Sequence, residues 1–119
     1  ISICGPTRIS HLKNGEVRTF DLTPEEEGLK RTSSEAIKGG NAIENAEMIR
    51  QILNGQKGAR RDIVLLNAGA AFVVAGLDRD FKEGIERAKA SIDSGQAKEK
   101  LKQLVAFTQQ CRPFVRSEL

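Results

Sequence analysis

Few residues in this chain are equipped for chemistry: one histidine, two cysteines and a handful of charged clusters. His11, the one histidine, is the first candidate base or metal ligand. The hairpin register set by the turn after it places Arg18 opposite and Lys13 on the same strand face. No carboxylate orients the imidazole, so it reads as an exposed strand histidine. Cys4 lies two residues before Pro6 in an extended segment, with Arg8 the nearest cation. A reactive thiolate needs a helix N-terminus or a closer positive charge, so Cys4 reads as an ordinary thiol. Lys38-Gly39-Gly40-Asn41 precedes a helix, where free N–H groups can hold a phosphate. It lacks the spacing of a P-loop or a dinucleotide fingerprint, and Asn41 with Glu44 can satisfy the same donors as a capping box.

Two further clusters are charged. Lys57, Arg60 and Arg61 could meet an anion or a partner, but solvated loop charges are the default for such a group. Glu25, Glu26 and Glu27 suggest a divalent cation, yet consecutive carboxylates on a helical turn point in different directions. They suit the positive end of a helix dipole better. There is no CxxC or HxxxH spacing for a metal. From spacing alone, no complete active site is present, and no catalytic, substrate-binding or metal-ligating residue is assigned.

The elements that would position these residues begin with β-structure. Residues 7–12 and 17–22 flank Asn14-Gly15, the pair that tolerates positive φ in a type I′ hairpin turn. That turn pairs Lys13 with Glu16, Leu12 with Val17, Ile9 with Phe20 and Arg8 with Asp21, two opposite-charge and two apolar pairs. Thr23-Pro24 then starts a short acidic helical turn that Gly28 ends, and residues 30–34 read as a loop. The remainder reads as four helices. Asn41 caps the first, with Ala42, Ala46, Ile49 and Leu53 on its inner face and Gly55 at its end. Asp62 opens the second, and residues 63–75 are apolar almost all round, which predicts a buried helix. Its run Ala68-Gly69-Ala70-Ala71 would let a neighbour approach closely. Asp80 and Glu83 start the third, with Phe81, Ile85, Ala88 and Ile92 inward and Gly95 at its end. Residues 96–110 form the fourth, with Ala97, Leu101, Leu104 and Val105 inward. Residues 111–119 contain Pro113, show no periodicity and read as a tail.

The whole sequence has 119 residues, enough for one domain at most, and a net charge of +3 from 19 basic and 16 acidic residues. The signs are interspersed, and the aromatic content of 4% is all phenylalanine, so a nucleic-acid partner is not expected. Hydrophobic residues at 39% and charged residues at 29% fit a globular chain. The longest apolar stretch, residues 63–77, is interrupted by Asn67, Gly69 and Gly76, and no membrane partner is expected. Two distant cysteines favour a reducing compartment, hence the cytoplasm. No leader opens the text, and its first residue is Ile, which suggests a piece of something longer.

Several stretches together resemble one family. Ile1-Ser2-Ile3-Cys4-Gly5-Pro6-Thr7-Arg8 through Leu22-Thr23-Pro24-Glu25-Glu26-Glu27-Gly28-Leu29, then Gly39-Gly40-Asn41-Ala42-Ile43-Glu44-Asn45-Ala46, resemble the late part of anthranilate phosphoribosyltransferase. Arg61-Asp62-Ile63-Val64-Leu65-Leu66-Asn67-Ala68 with Ala75-Gly76 is similar to a buried helix of that family. Ala90-Ser91-Ile92-Asp93-Ser94-Gly95-Gln96-Ala97 is similar to its penultimate helix junction. The order and spacing of these segments are more specific than any one of them.

The resemblance implies an α/β fold, of which this chain is the incomplete C-terminal part: a β-hairpin followed by about four helices. Residues 1–110 fall within the family pattern and 111–119 outside it. It implies transfer of a phosphoribosyl group from phosphoribosyl pyrophosphate to anthranilate, with Mg²⁺, in tryptophan biosynthesis. It places the phosphate loop, the anthranilate site and the dimer-forming helical domain upstream of this segment, and the Mg²⁺ ligands immediately before Ile1. No family site residue therefore maps onto this chain. The expected partners are the missing N-terminal part of the same enzyme and, in the full-length family, a second subunit. The segment alone is expected to be inactive and to self-associate through its uncovered surfaces. The alternative is a non-catalytic interaction module built from the same segment.

Overall fold

The computed structural model describes residues 1–111. β1 (Thr7–Lys13) and β2 (Glu16–Leu22) form an antiparallel hairpin. Asn14 and Gly15 between them have φ of 51° and 79°, as a type I′ turn requires. The register pairs Lys13 with Glu16, Leu12 with Val17, His11 with Arg18, Ile9 with Phe20 and Arg8 with Asp21, as the turn chemistry predicted. Arg8 Nε donates to Asp21 Oδ1 at 3.0 Å, and the hydroxyls of Ser10 and Thr19 meet at 2.9 Å. Glu16 departs from its expected partner: its carboxylate lies 3.6 Å from Arg18 on its own strand. The base of the hairpin is anchored. Leu22 is buried in the core, and the Phe20 ring meets Phe81 edge-on at 6.3 Å. The tip carries Leu12 and Val17 out into solvent. No third strand pairs with the hairpin among the described residues.

Pro24 leads into a 3₁₀ turn, Glu25–Glu27, that Gly28 ends with φ of 75°. Thr23 and Glu26 close it reciprocally: Thr23 N–H donates to Glu26 Oε2 at 2.8 Å, and Glu26 N–H to Thr23 Oγ1 at 3.4 Å. The expected loop 30–34 instead runs into a second 3₁₀ turn, Ser34–Ile37, closed by Ala36 N–H on the Ser33 carbonyl at 3.1 Å. A single turn of this length carries no periodicity to read.

Four helices follow: α1 (Ala42–Leu53), α2 (Ala59–Val74), α3 (Phe81–Asp93) and α4 (Gln96–Gln110). Asn41 and Glu44 make the predicted capping box on α1. α2 starts three residues before the expected Asp62. Gly58, at φ 129°, breaks the chain there, and Asp62 falls within the first turn. The expected all-round burial of α2 is corrected too. Arg61, Leu65, Leu66 and Gly69 are buried, whereas Val64 and Val74 stand exposed. α3 behaves as predicted: Asp80 Oδ1 accepts from Glu83 N–H at 2.9 Å, and Ile85, Ala88 and Ile92 are buried.

The core is the α2–α3 seam with Leu22 beneath it: Leu22, Leu65, Leu66, Ile85, Ala88 and Ile92. Fully burying each large aliphatic side chain stabilises the fold by about 1.5–3 kcal/mol. Gly69 and Gly84 face each other across the seam, so that a Cβ on Gly84 would stand 2.8 Å from Gly69 Cα. The predicted close approach is therefore made by one glycine from each helix.

Two predicted inner faces differ. On α1, Ile52 packs against the core while Ala42 and Ile49 are exposed. On α4, Ala97 and Leu101 are half-buried, but Leu104 and Val105 are 57% and 44% exposed. Each helix is amphipathic as read, yet only part of each apolar stripe finds a partner within the described residues. The expected tail lies outside them apart from Cys111, an exposed residue directly after α4.

Candidate functional site

The Lys38-Gly39-Gly40-Asn41 turn and the basic cluster are brought together in space. Arg60 Nη2 donates to the Lys38 carbonyl at 3.2 Å. A cleft of about 130 Å³ opens beside them, lined by Ala36, Met48 and Gln51 on one side and Lys57, Gly58 and Arg60 on the other. This is where the sequence candidates converge, at the joint between the second 3₁₀ turn, α1 and the start of α2.

Four donors of the glycine turn and helix start, the N–H groups of Gly40, Asn41, Ile43 and Glu44, are taken internally. Asn41 Oδ1 accepts from Ile43 N–H and Glu44 N–H, both at 3.0 Å, and Glu44 Oε2 accepts from Asn41 N–H at 2.7 Å. Asn45 adds a two-point clamp on Gly40: Oδ1 accepts its N–H at 2.8 Å, and Nδ2 donates to its carbonyl at 2.9 Å. These bonds do internally what a phosphate would do externally, which is the capped-helix reading.

The basic cluster is corrected. Arg61 is no solvated loop charge: it is 5% exposed, on the first turn of α2. Its guanidinium makes a two-point bond to Asp93 at the end of α3, at 2.8 and 3.0 Å, and reaches the Gly55 carbonyl at 3.3 Å. The hydrogen bonds to Asp93 raise the Arg61 pKa, and those same bonds lower that of Asp93. The pair ties the start of α2 to the end of α3. Asp62 beside it is raised by burial, partly offset by Arg61.

The acidic run separates as expected. Glu25 is lowered first by its own backbone N–H and then by Arg31, whose Nε lies 2.8 Å from Oε1. Glu26 is lowered by the Thr23 N–H and hydroxyl. Glu27 is raised, chiefly by burial, and its Oε2 is buried without a hydrogen-bond partner. Three carboxylates with three separate environments do not form a ligand shell. No group of three His, Cys, Asp or Glu side chains converges to hold a metal among the described residues. The residues present thus do not fit the Mg²⁺ that the resemblance implies. His11 sits opposite Arg18 as read, but it is half-buried and not the exposed histidine expected; Cys4 is half-buried, its N–H donating to Ser2 Oγ at 3.0 Å.

Sequence reasoning missed three positioning residues. Asn67 on α2 grips Ile1, accepting from its backbone nitrogen at 2.6 Å and donating to its carbonyl at 2.8 Å. Asp78, with its side chain 8% exposed, holds Arg87 at 2.7 and 2.9 Å while that guanidinium lies 5.8 Å over the Phe72 ring. Asp93 anchors Arg61 from 32 residues away. A polar residue interrupting an apolar helix, as Asn67 does, was the one available signal. No helix among the described residues is long and apolar enough to cross a membrane.

A family model described as glycosyl transferase family, a/b domain, matches residues 1–98. An anthranilate phosphoribosyltransferase of Rhodopseudomonas palustris (strain BisB5) is 50% identical over 108 residues, which is 91% of this chain and 32% of the relative. The enzyme of the same name from Desulfatibacillum aliphaticivorans is 49% identical over 110 residues, with 92% and 32% covered. The crystal structure of anthranilate phosphoribosyltransferase from Thermus thermophilus superposes with a TM-score of 0.81 at 41% identity, covering 91% of this chain and 32% of that one. The chain spans about a third of the length of the curated relatives it matches.

Proposed function

The chain belongs to the glycosyl transferase family through its a/b domain, and from that membership we propose that it serves as the C-terminal segment of an anthranilate phosphoribosyltransferase. The reaction in this reading moves a phosphoribosyl group from phosphoribosyl pyrophosphate to anthranilate, in tryptophan biosynthesis in the cytoplasm. The observation that carries it is 50% identity over 91% of the chain, joined to a shared fold at 41% identity.

The segment's contribution is scaffolding. The Arg61–Asp93 pair, the Gly69–Gly84 contact and the Asn67 grip on Ile1 lock α2, α3 and the strand-entering chain into one frame. Substrate sites, the ligands of Mg²⁺ and the subunit contact of the full enzyme belong, in this reading, to the remaining two-thirds of the relatives' length.

The test joins this chain to the preceding part of the Rhodopseudomonas palustris enzyme in place of the matched segment and follows loss of anthranilate. The hybrid turns over, and the 119-residue chain alone does not. Turnover by the chain alone, or a folded hybrid without turnover, refutes the reading. The exposed apolar stripes on α1 and α4 favour the second reading, a non-catalytic interaction module. An inactive folded hybrid would move that reading to first place.

A further inference from the structure

α1 and α4 lie side by side, tied where Lys98 Nζ donates to Asn54 Oδ1 at 2.6 Å. Between the helices runs a groove of about 550 Å³. Leu53, Leu101, Val105 and Ala106 form its apolar part, and Val105 is 44% exposed. Its rim is basic: Arg50, Lys98 and Lys102 line it, with no carboxylate among the described residues. The α4 wall runs from Lys98 to Gln109, about 17 Å or three helical turns. A groove of this length between two helices suits a third helix, apolar side down. The basic rim calls for carboxylates on the flanks of that helix.

We propose that the groove seats an apolar helix flanked by Asp or Glu, contributed by the part of the longer protein that precedes Ile1. Three occupants come into question, and charge separates them. A second copy is a poor match, because in a two-fold pair the patch meets itself and sets Arg50, Lys98 and Lys102 against the same cations. Residues 112–119 carry Arg112 and Arg116 against one acid, Glu118, and so add positive charge to a basic rim. The preceding part is the remaining source. The chain covers 32% of the Rhodopseudomonas palustris relative, so about two-thirds of that length must pack somewhere on or near this segment. That occupant rests on the enzymatic reading, which supplies the preceding part.

The test uses the hybrid described above, in which the preceding part of the Rhodopseudomonas palustris enzyme is joined to this chain. A carbodiimide joins a lysine amine to a carboxylate as an amide only where the two already touch. Lys98 and Lys102 are expected to link to Asp or Glu of the preceding part of the same chain. Lys102 also lies 3.4 Å from Glu99 on its own helix, so only links that leave the segment count. Both lysines are expected to react with acetic anhydride at least about tenfold more slowly than Lys100, which lies on another face of α4. Mixed isotope-labelled and unlabelled subunits separate links within a chain from links between chains. Links between chains, or to Glu118, overturn the proposal. So does equal acetylation of all three lysines, which shows an open groove. Turnover without these links refutes the surface and leaves the enzymatic reading standing; links in a folded hybrid without turnover do the reverse. If the hybrid does not fold, the same two readouts are taken on the longer protein purified from its source.

Discussion

Gly84 lies inside α3, where intrinsic propensity predicts that Gly84→Ala stabilises the helix by about 1 kcal/mol. The structure predicts the opposite sign. An added Cβ would stand 2.8 Å from Gly69 Cα and 2.9 Å from its carbonyl carbon. Carbon atoms pack at about 3.5–4.0 Å, so the two helices must part by roughly 0.7 Å or more. Both obstacles are backbone atoms inside α2, which no side-chain rotation can relieve. Overpacking of this kind costs about 1–3 kcal/mol. Separation also loosens Leu65, Leu66, Ile85 and Ala88, which close the same seam. Setting the propensity gain against these losses leaves a net destabilisation of about 1–2 kcal/mol, or roughly 4–10 °C in Tm for a chain of this size. Thermal and urea unfolding followed by circular dichroism give the number. Gly5→Ala, with nothing within 4 Å of its added Cβ, is the control and shifts stability by less than about 0.5 kcal/mol. An unchanged or higher Tm for Gly84→Ala refutes the claim that the seam is set by backbone contact.

Asp93→Ala strands the buried Arg61 guanidinium and destabilises the fold more than Arg61→Met, which removes the charge and keeps the bulk; equal losses in urea unfolding would contradict this. Asn41→Ala removes the cap of α1 and costs about 1 kcal/mol, read as early loss of amide protection in α1 relative to α3. Glu83 is held down to about 2, first by the Arg79 side chain and then by its backbone N–H. Its contribution is thus present above the ordinary glutamate value of about 4.3 and is lost as pH falls towards 2, and Glu83→Gln flattens that limb of the stability–pH curve. Glu27 has the reverse sign. Burial raises its pKa, so its contribution is present at low pH and is lost as pH rises from the ordinary value through the raised one. Glu27→Gln is therefore stabilising at neutral pH, and a destabilised variant would show that the carboxylate has a partner after all.

What could be read from the sequence is what depends on neighbours in the chain. Asn14-Gly15 dictated the hairpin turn, and the alternation on either side dictated its register. Asn41 with Glu44, and Asp80 with Glu83, marked two helix starts because capping is a three-residue affair. Phe81, Ile85, Ala88 and Ile92 marked the inner face of α3 because that helix is covered on one side only. The misses come from partners far away in sequence. Arg61 looked like a surface cation because Asp93 is 32 residues on, and only the docking of α2 on α3 brings them together. The same docking sets the anchoring role of Asn67, which a polar residue in an apolar run could hint at but not assign. α1 and α4 are the instructive case. Their stripes were read correctly as apolar faces, and the error lay in assuming that this chain covers them. An amphipathic pattern records that a face is buried somewhere, without saying by what. A chain that spans about a third of its relatives' length and still carries uncovered stripes on two adjacent helices therefore points beyond its own fold. The difference between the expected faces and the observed exposure marks a surface that contacts among the described residues leave uncovered.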